Sequence, residues 1–138
     1  MGISGEKEDV FQRIRGVVST LSSLRIAYVY GSFLSRDDFR DIDIALLLDE
    51  QTSRDSFDRY AADAGDRIEE ALGFRYGCDV RILNELPVWL GFEVIRTGIP
   101  LFVQNEEDRI DFETKMTVEY LDIRSLYDLF DHEYLAQV

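Results

Sequence analysis

The sequence predicts an α/β (α+β) fold in which helices flank a small mixed β-sheet. Two observations support it: apolar residues recur at helical spacing in residues 6–23 and 53–72, and segments of strand-type composition lie between and after them. The clearest strand, at 41–48, is almost continuously apolar after its first residues, as expected when both faces are covered. A chain of 138 residues is expected to form a single domain, 1–138, with a core at about 24–103 and a C-terminal helical segment at about 106–132.

The boundaries of the elements follow from capping and turn residues. Ser53 is a plausible N-cap, Gly73 and Gly98 are typical helix ends, and Pro87 suits the first turn of a helix. We therefore expect, in order, a helix at 6–23, a strand at 26–30, one or two helical turns within 34–39, a strand at 41–48, a helix at 53–72, a strand at 78–83, a helix at 87–98, an edge strand at 99–103 and a last helix from residue 106.

Composition excludes several classes of function. The formal charge of −13 repels nucleic-acid backbones, so we do not expect direct nucleic-acid binding. The charge favours a basic protein partner or a metal-bridged nucleotide, and a simple solubility adaptation is the alternative. The single cysteine and single histidine, Cys78 and His132, exclude a Cys/His zinc cluster, so any metal must be bound by oxygen. The polar, acidic N-terminus and the absence of a long apolar run predict no signal peptide and no membrane association. We therefore expect a cytoplasmic protein.

Two carboxylates open the second predicted strand. Because side chains alternate between the faces of a strand, Asp41 and Asp43 point the same way, while Ile42 and Ile44 point into the core. Two like charges about 4 Å apart repel by roughly 4 kcal/mol at an effective dielectric constant of about 20, so such a pair usually marks a shared proton or a bound cation. A turn-capping pair at a strand end is the alternative.

A third acid and a glycine-serine turn complete the candidate site. Asp79 lies on the third predicted strand and meets the first two acids if that strand neighbours the second. Three carboxylates with Mg²⁺ suit phosphoryl or nucleotidyl transfer, in which one acid can deprotonate the attacking hydroxyl. Gly31 allows close approach of a ligand, and Ser32 offers a hydroxyl and an amide to phosphate groups.

These motifs resemble the signature of polymerase-beta-like nucleotidyltransferases. The runs that carry the resemblance are Tyr30-Gly31-Ser32 and Asp41-Ile42-Asp43-Ile44. More narrowly, the chain is similar to the minimal nucleotidyltransferase (MNT) group, the antitoxins of HEPN/MNT toxin-antitoxin pairs. The similarity continues through Asp79 to Pro87 and through Phe92 to Phe102.

The resemblance implies a specific function. Asp41, Asp43 and Asp79 would be the catalytic and metal-binding acids, and Gly31 and Ser32 would contact the phosphates of ATP. Arg36 or Arg40 would supply further positive charge to the phosphates. Mg²⁺ would be the cofactor, ATP the substrate, and the cognate HEPN ribonuclease toxin the partner, with which an oligomer is possible. The implied reaction is transfer of AMP to a tyrosine of the toxin, which neutralises it.

Two other functions remain open from the sequence. A binding-only antitoxin with a vestigial site is favoured by the eight-residue loop between Ser32 and Asp41, which is short for the group. It is also favoured by Arg40, which stands where a small hydroxyl residue commonly precedes the first acid. A nucleotidyltransferase that modifies a small molecule such as an aminoglycoside would keep the same centre. It would usually need a further substrate-binding domain, for which 138 residues leave little room.

Aromatic residues near the C-terminus also allow two interpretations. Trp89, Phe92 and Tyr120 are predicted to pack in the core, with a partner-binding patch as the alternative. Tyr120, Tyr127 and Tyr134 lie among acidic residues, so this stretch is either a solvated helix face or an acidic, aromatic tail that docks on a basic partner.

Overall fold

The computed structural model describes the backbone of residues 5–136 and the side chains of residues 5–132. Helices and strands alternate along most of this part of the chain, as expected for an α/β fold. The elements are α1 (Gly5–Val18), β1 (Leu24–Tyr30), α2 (Ser32–Ser35), β2 (Asp41–Leu48), α3 (Phe57–Ala71), β3 (Gly77–Ile82), α4 (Val88–Thr97), β4 (Ile99–Val103) and α5 (Glu106–Ala136).

The four strands form one mixed sheet in the order β3-β2-β1-β4. Strand β1 pairs antiparallel with both β2 and β4, while β2 and β3 are parallel. The connection from β2 to β3 runs through α3, since parallel neighbours need a crossover. This topology confirms the predicted mixed sheet and the edge position of β4. It also meets the condition for the three acids to converge, since the third strand pairs with the second.

Each face of the sheet is covered by helices. On one face, the fully buried Ile42, Ile44 and Leu46 of β2 join residues of α1 and α3 in the larger core cluster. On the other face, Ala45 and Leu47 join residues of α4 and α5 in a smaller cluster. Strand β2 is therefore apolar on both faces after Asp43, as its nearly continuous apolar sequence predicts.

Three predicted helix boundaries are wrong. The helical turn before β2 spans Ser32–Ser35 and does not lie within 34–39, because the backbone of Arg36 is already extended and residues 37–40 are not helical. The first helix ends at Val18 rather than at residue 23, because the chain turns there: the hydroxyls of Ser19 and Thr20 donate hydrogen bonds to the carbonyls of Gly16 and Val17. Ser53 precedes a 3₁₀ turn, not α3 itself, and its side chain makes no capping hydrogen bond. Short polar side chains that bond to the nearby backbone favour such turns over continued helix.

No helix in the described part of the chain is long and apolar enough to cross a membrane.

Candidate active site

The three predicted acids lie at one end of the sheet. Asp41 and Asp43 open β2, and Asp79 lies on β3 directly beside Asp43 in the parallel register. Neighbouring strands are about 4.8 Å apart, and paired residues point to the same face. The structure therefore brings Asp43 and Asp79 together and places Asp41 two residues away on the same face, as the sequence predicts.

Two glycines leave room for the carboxylates. A Cβ on Gly31 would collide with Oδ2 of Asp43, and a Cβ on Gly77 would collide with Oδ1 of Asp41. Gly31 also has φ +80° and ψ −153°, a backbone conformation that is essentially restricted to glycine. The space beside Gly31 is therefore occupied by the carboxylate of Asp43, and Gly77 provides the same space for the first acid; close approach of a ligand to Gly31 stays a prediction.

The electrostatics of the site centre on Asp43. Partial burial raises the pKa of Asp43, the negative charges of Asp79 and Asp41 raise it further, and the guanidinium of Arg81 opposes this. Burial also raises the pKa of Tyr30 to about 12, helped by the charge of Asp43. Negative charge is thus concentrated at this end of the sheet, where a cation would stabilise it.

A cleft lies next to the acids. It has a volume of about 390 Å³, within the usual range for small-molecule sites. Its lining residues are Ser32, Arg36, Asp38, Phe39, Arg40 and Asp41. The cleft thus brings three of the four predicted nucleotide-binding residues, Ser32, Arg36 and Arg40, beside the first acid. The fourth, Gly31, immediately precedes α2. In the structure the guanidinium of Arg36 forms a bidentate hydrogen-bonded pair with Asp38.

The loop that forms this cleft is held from inside by aromatic contacts. Phe39 is buried, packs edge-on against Phe33 with ring centroids 4.9 Å apart, and stacks on Tyr76 at the same distance. Lys7 of α1 lies nearby, with Nζ 5.7 Å and 5.6 Å from the centroids of Phe33 and Phe39 and 3.7 Å from Oδ1 of Asp37. The first helix therefore helps to fix the loop between α2 and β2.

The sequence interpretation missed the role of Arg81. Its Nε lies 3.3 Å from Oδ2 of Asp79 and donates a hydrogen bond to it. Because Arg81 follows Asp79 by two residues in a strand, it lies on the same face as the acids, and this spacing is a signal that the sequence contained. Arg81 therefore holds one carboxylate of the acid cluster in position.

The remaining candidate residues have the structural roles predicted for them, with the exception of Trp89. Cys78 is half-buried, and burial raises the pKa of its thiol to about 12, which makes it a poor nucleophile. His132 is exposed. Phe92 and Tyr120 are half-buried and stack on each other with ring centroids 4.0 Å apart. The predicted core position of Trp89 is wrong: this residue is 64% exposed, because it lies in the first turn of α4 at the edge of an open groove against α5. Tyr134 lies outside the residues whose side chains are described.

A larger cavity of about 690 Å³ lies at the opposite end of the strands. Its lining includes Asp49, Glu50, Glu107 and Asp108, with Arg25 as its cation. The guanidinium of Arg25 is engaged in a hydrogen-bonded ion pair with Asp108. An acidic wall repels phosphate, so the smaller cleft beside Ser32 is the better nucleotide site despite its size.

The donor set fits an oxygen-bound divalent cation. Asp41, Asp43 and Asp79 supply carboxylate oxygens, which Mg²⁺ prefers, and glycines in place of larger residues leave the space around them open. Within residues 5–132 no three His, Cys, Asp or Glu side chains already converge as closely as metal ligands do. Binding a cation here would therefore require the carboxylates to turn toward one another.

The fold matches solved structures of toxin-antitoxin complexes. A chain of the complex of tri-AMPylated Shewanella oneidensis HEPN toxin with MNT antitoxin superimposes with a TM-score of 0.68, at 17% identity, over 94% of this chain and 98% of that chain. A chain of a toxin-antitoxin complex with AMP-PNP gives a TM-score of 0.67 at 18% identity, over the same shares of the two chains. At these identities the similarity shows a shared fold. No curated protein sequence matches this chain.

The sequence itself carries a family signature. Residues 12–107, more than half of the chain, match the family described as "Polymerase beta, Nucleotidyltransferase". The match covers the Gly31 turn and all three acids, and the fold agrees with it. The resemblance inferred from the motifs is therefore confirmed: the chain belongs to the polymerase beta nucleotidyltransferase family.

Proposed function

We propose that this chain is an antitoxin nucleotidyltransferase that transfers AMP from ATP to a tyrosine of a cognate HEPN ribonuclease toxin and thereby neutralises it. The observation that carries the proposal is the placement of Asp43 beside Asp79 in the register of β2 and β3, with Gly31 giving Asp43 the space it needs. Family membership supports the reaction class, and the complexes of similar fold suggest the partner and the nucleotide.

The chemistry is a displacement at the α-phosphorus of ATP. The tyrosine oxygen of the partner forms a bond to this phosphorus. The bond from phosphorus to the oxygen that bridges to the β-phosphate breaks, and pyrophosphate leaves with the electron pair. Asp79 accepts the tyrosine proton at Oδ1, while Arg81 holds Oδ2 of the same carboxylate. Arg81, two residues further along β3, therefore positions and orients the carboxylate of Asp79.

Asp41, Asp43 and Asp79 would hold Mg²⁺, which when bound offsets the negative charge of the phosphates and of the departing pyrophosphate. The raised pKa of Asp43 agrees with such a site, because ionising this partly buried carboxylate beside two others is unfavourable until a cation is present.

The phosphates would lie in the 390 Å³ cleft. The hydroxyl of Ser32 and the backbone at the start of α2 would donate hydrogen bonds to them, and the exposed guanidinium groups of Arg36 and Arg40 would contribute positive charge. Because α2 is a single turn of four residues, the backbone amides matter more here than a helix dipole. The proposal also retains the cytoplasmic location expected from the sequence.

The test is intact-mass spectrometry of the cognate HEPN protein after incubation with this chain, ATP and Mg²⁺. We expect a mass increase of one or more AMP groups with the wild-type chain and none with the Asp41→Asn/Asp43→Asn variant. The control is Asp63→Asn/Asp66→Asn, which removes the same charge from α3 and should leave transfer unchanged. Transfer that persists in the Asp41/Asp43 variant would show that these acids are not the catalytic centre.

One observation favours a second function, a binding-only antitoxin. The ion pair of Arg81 with Asp79 already neutralises the third acid without a metal. If the chain inhibits the toxin's ribonuclease activity in a stoichiometric complex without ATP, and no AMP is added when ATP is present, this alternative is correct. Loss of inhibition when ATP is omitted supports the catalytic function.

A further inference from the structure

The second half of α5 extends away from the domain. The helix has 31 residues, which corresponds to a length of about 46 Å at 1.5 Å per residue. Its first half is anchored: Asp108 pairs with Arg25, Glu113 accepts a hydrogen bond from Tyr28, and Tyr120 stacks on Phe92 of α4. From residue 121 to residue 132 every residue is exposed. The described part of the chain therefore covers this segment only in part.

The exposed segment carries an apolar stripe, which we define as Ile123, Leu126, Tyr127 and Phe130. These residues are 41%, 65%, 68% and 69% exposed. Their spacing of i, i+3, i+4 and i+7 places them on one face of the helix. The stripe is thus larger and more continuous than the scattered apolar residues of an ordinary protein surface.

The stripe continues the face that α4 covers in the first half of α5. Met116 lies against Gly91, where a Cβ would be only 2.8 Å from Cε of the methionine, and Tyr120 lies against Phe92. Residues 116, 120, 123, 127 and 130 follow the alternating four- and three-residue spacing of a helix-packing seam. Along α5 the seam therefore continues past the level of Val88, the residue at which α4 begins.

A groove marks the point where α4 stops covering the seam. It has a volume of about 360 Å³ and is lined by Val88 and Trp89 of α4 and by residues of α5 that include Ile123 and Tyr127. Trp89 is 64% exposed at its edge, and tryptophan is enriched among the residues that dominate binding energy at interfaces. The groove and the stripe form one continuous apolar surface that suits a helix packed in line with α4.

Charge decides between the possible occupants. Asp122, Asp128 and Asp131 flank the stripe against one cation, Arg124, and the whole chain has a formal charge of −13. Two copies meeting along this surface would bring like charges together, which opposes self-association. A partner whose apolar helix face is bordered by Lys or Arg would be attracted instead. The acidic, aromatic interpretation of this region is therefore favoured over a solvated helix face.

We propose that the stripe and the groove beside Trp89 form the docking surface for a helix of a basic partner protein, separate from the acid cluster. The inference rests on the proposed function only for the identity of the probe, the cognate HEPN protein. A substrate protein held by this surface would be bound whether or not ATP is present.

The test compares two matched variants, Leu126→Glu and Leu121→Glu. Both leucines are exposed on α5, at 65% and 49%, but Leu121 lies on the opposite side of the helix from the stripe. Titration calorimetry with the HEPN protein should show at least tenfold weaker binding for Leu126→Glu and less than threefold for Leu121→Glu. Phe130→Glu should repeat the loss. Melting temperatures close to wild type would show that the variants are folded.

Four outcomes separate the hypotheses. If Leu126→Glu weakens binding but the wild-type chain adds no AMP, docking is correct and the catalytic proposal fails. If AMP is added and both variants bind like wild type, the docking inference is overturned. It is also overturned if the HEPN protein does not bind at all. Finally, a wild-type chain that dimerises in sedimentation velocity and becomes monomeric in Leu126→Glu would assign the surface to a second copy.

Discussion

A single methyl group at residue 31 should damage both stability and catalysis. Gly31 has φ +80° and ψ −153°, and a non-glycine residue in this region pays about 1–3 kcal/mol in backbone strain. In addition, the Cβ of an alanine would collide with Oδ2 of Asp43. The carboxylate must move or the turn must change, and either adjustment alters the position of the second acid relative to Asp79.

The expected size of both effects follows from these contacts. For a domain of this length, 1–3 kcal/mol corresponds to a decrease in melting temperature of about 3–15 °C. Displacement of a reacting group by about 1 Å commonly lowers a rate about 100-fold. We therefore expect Gly31→Ala to remain folded at room temperature but to transfer AMP at least about 100 times more slowly than the wild-type chain.

Differential scanning fluorimetry and initial rates of AMP transfer measure the two effects. Gly16→Ala is the matched control, because Gly16 is exposed on α1 and its added Cβ meets no atom within 4 Å. In a helix interior, alanine is more favourable than glycine by about 1 kcal/mol, so the control should be slightly stabilised and fully active. A Gly31→Ala variant with the melting temperature and transfer rate of the wild type would refute this account of the turn.

Three further variants test other parts of the structure. Asp43→Asn should abolish transfer yet raise the melting temperature in EDTA at pH 8. Because the pKa of Asp43 is raised in the folded chain, its ionised form destabilises the fold. The gain in melting temperature should therefore disappear below about pH 3, where this carboxyl is protonated in both the folded and the unfolded chain. Lys7→Met should raise the KM for ATP several-fold with less effect on kcat, measured by steady-state kinetics, because the ammonium near Phe39 helps to fix the cleft loop. Asn84→Ala should lower the free energy of unfolding in urea by about 1–3 kcal/mol, since the Asn84 side chain bonds both the N–H and the carbonyl of Leu48.

The sequence predicted β2 and the acid cluster well because their signals are local. An apolar run that opens on Asp41 and Asp43 is typical of a strand covered on both faces. Asp79 then joins the cluster if the third strand neighbours the second, as it does. The start of α5 and the edge strand β4 were also predicted, since proline, glycine and the helical periodicity mark them.

The contacts that the sequence did not predict connect distant residues. Nothing near Gly77 in the sequence indicates that its missing side chain makes room for Asp41, and the proximity of Lys7 to Phe39 depends on how α1 packs against the domain. Such features become visible only when tertiary packing is known.

The core, and not the acids, determines the geometry of the site. Ile42 and Ile44 are fully buried and alternate with Asp41 and Asp43 along β2. A shift of register by one residue would expose both isoleucines and bury both carboxylates. Burying an isoleucine contributes about 1.5–3 kcal/mol, so the two side chains hold the strand in place against the mutual repulsion of the acids. Hydrophobic packing thus prepares the site before any cation binds, and Mg²⁺ would bind to carboxylates whose positions along the strand are already set.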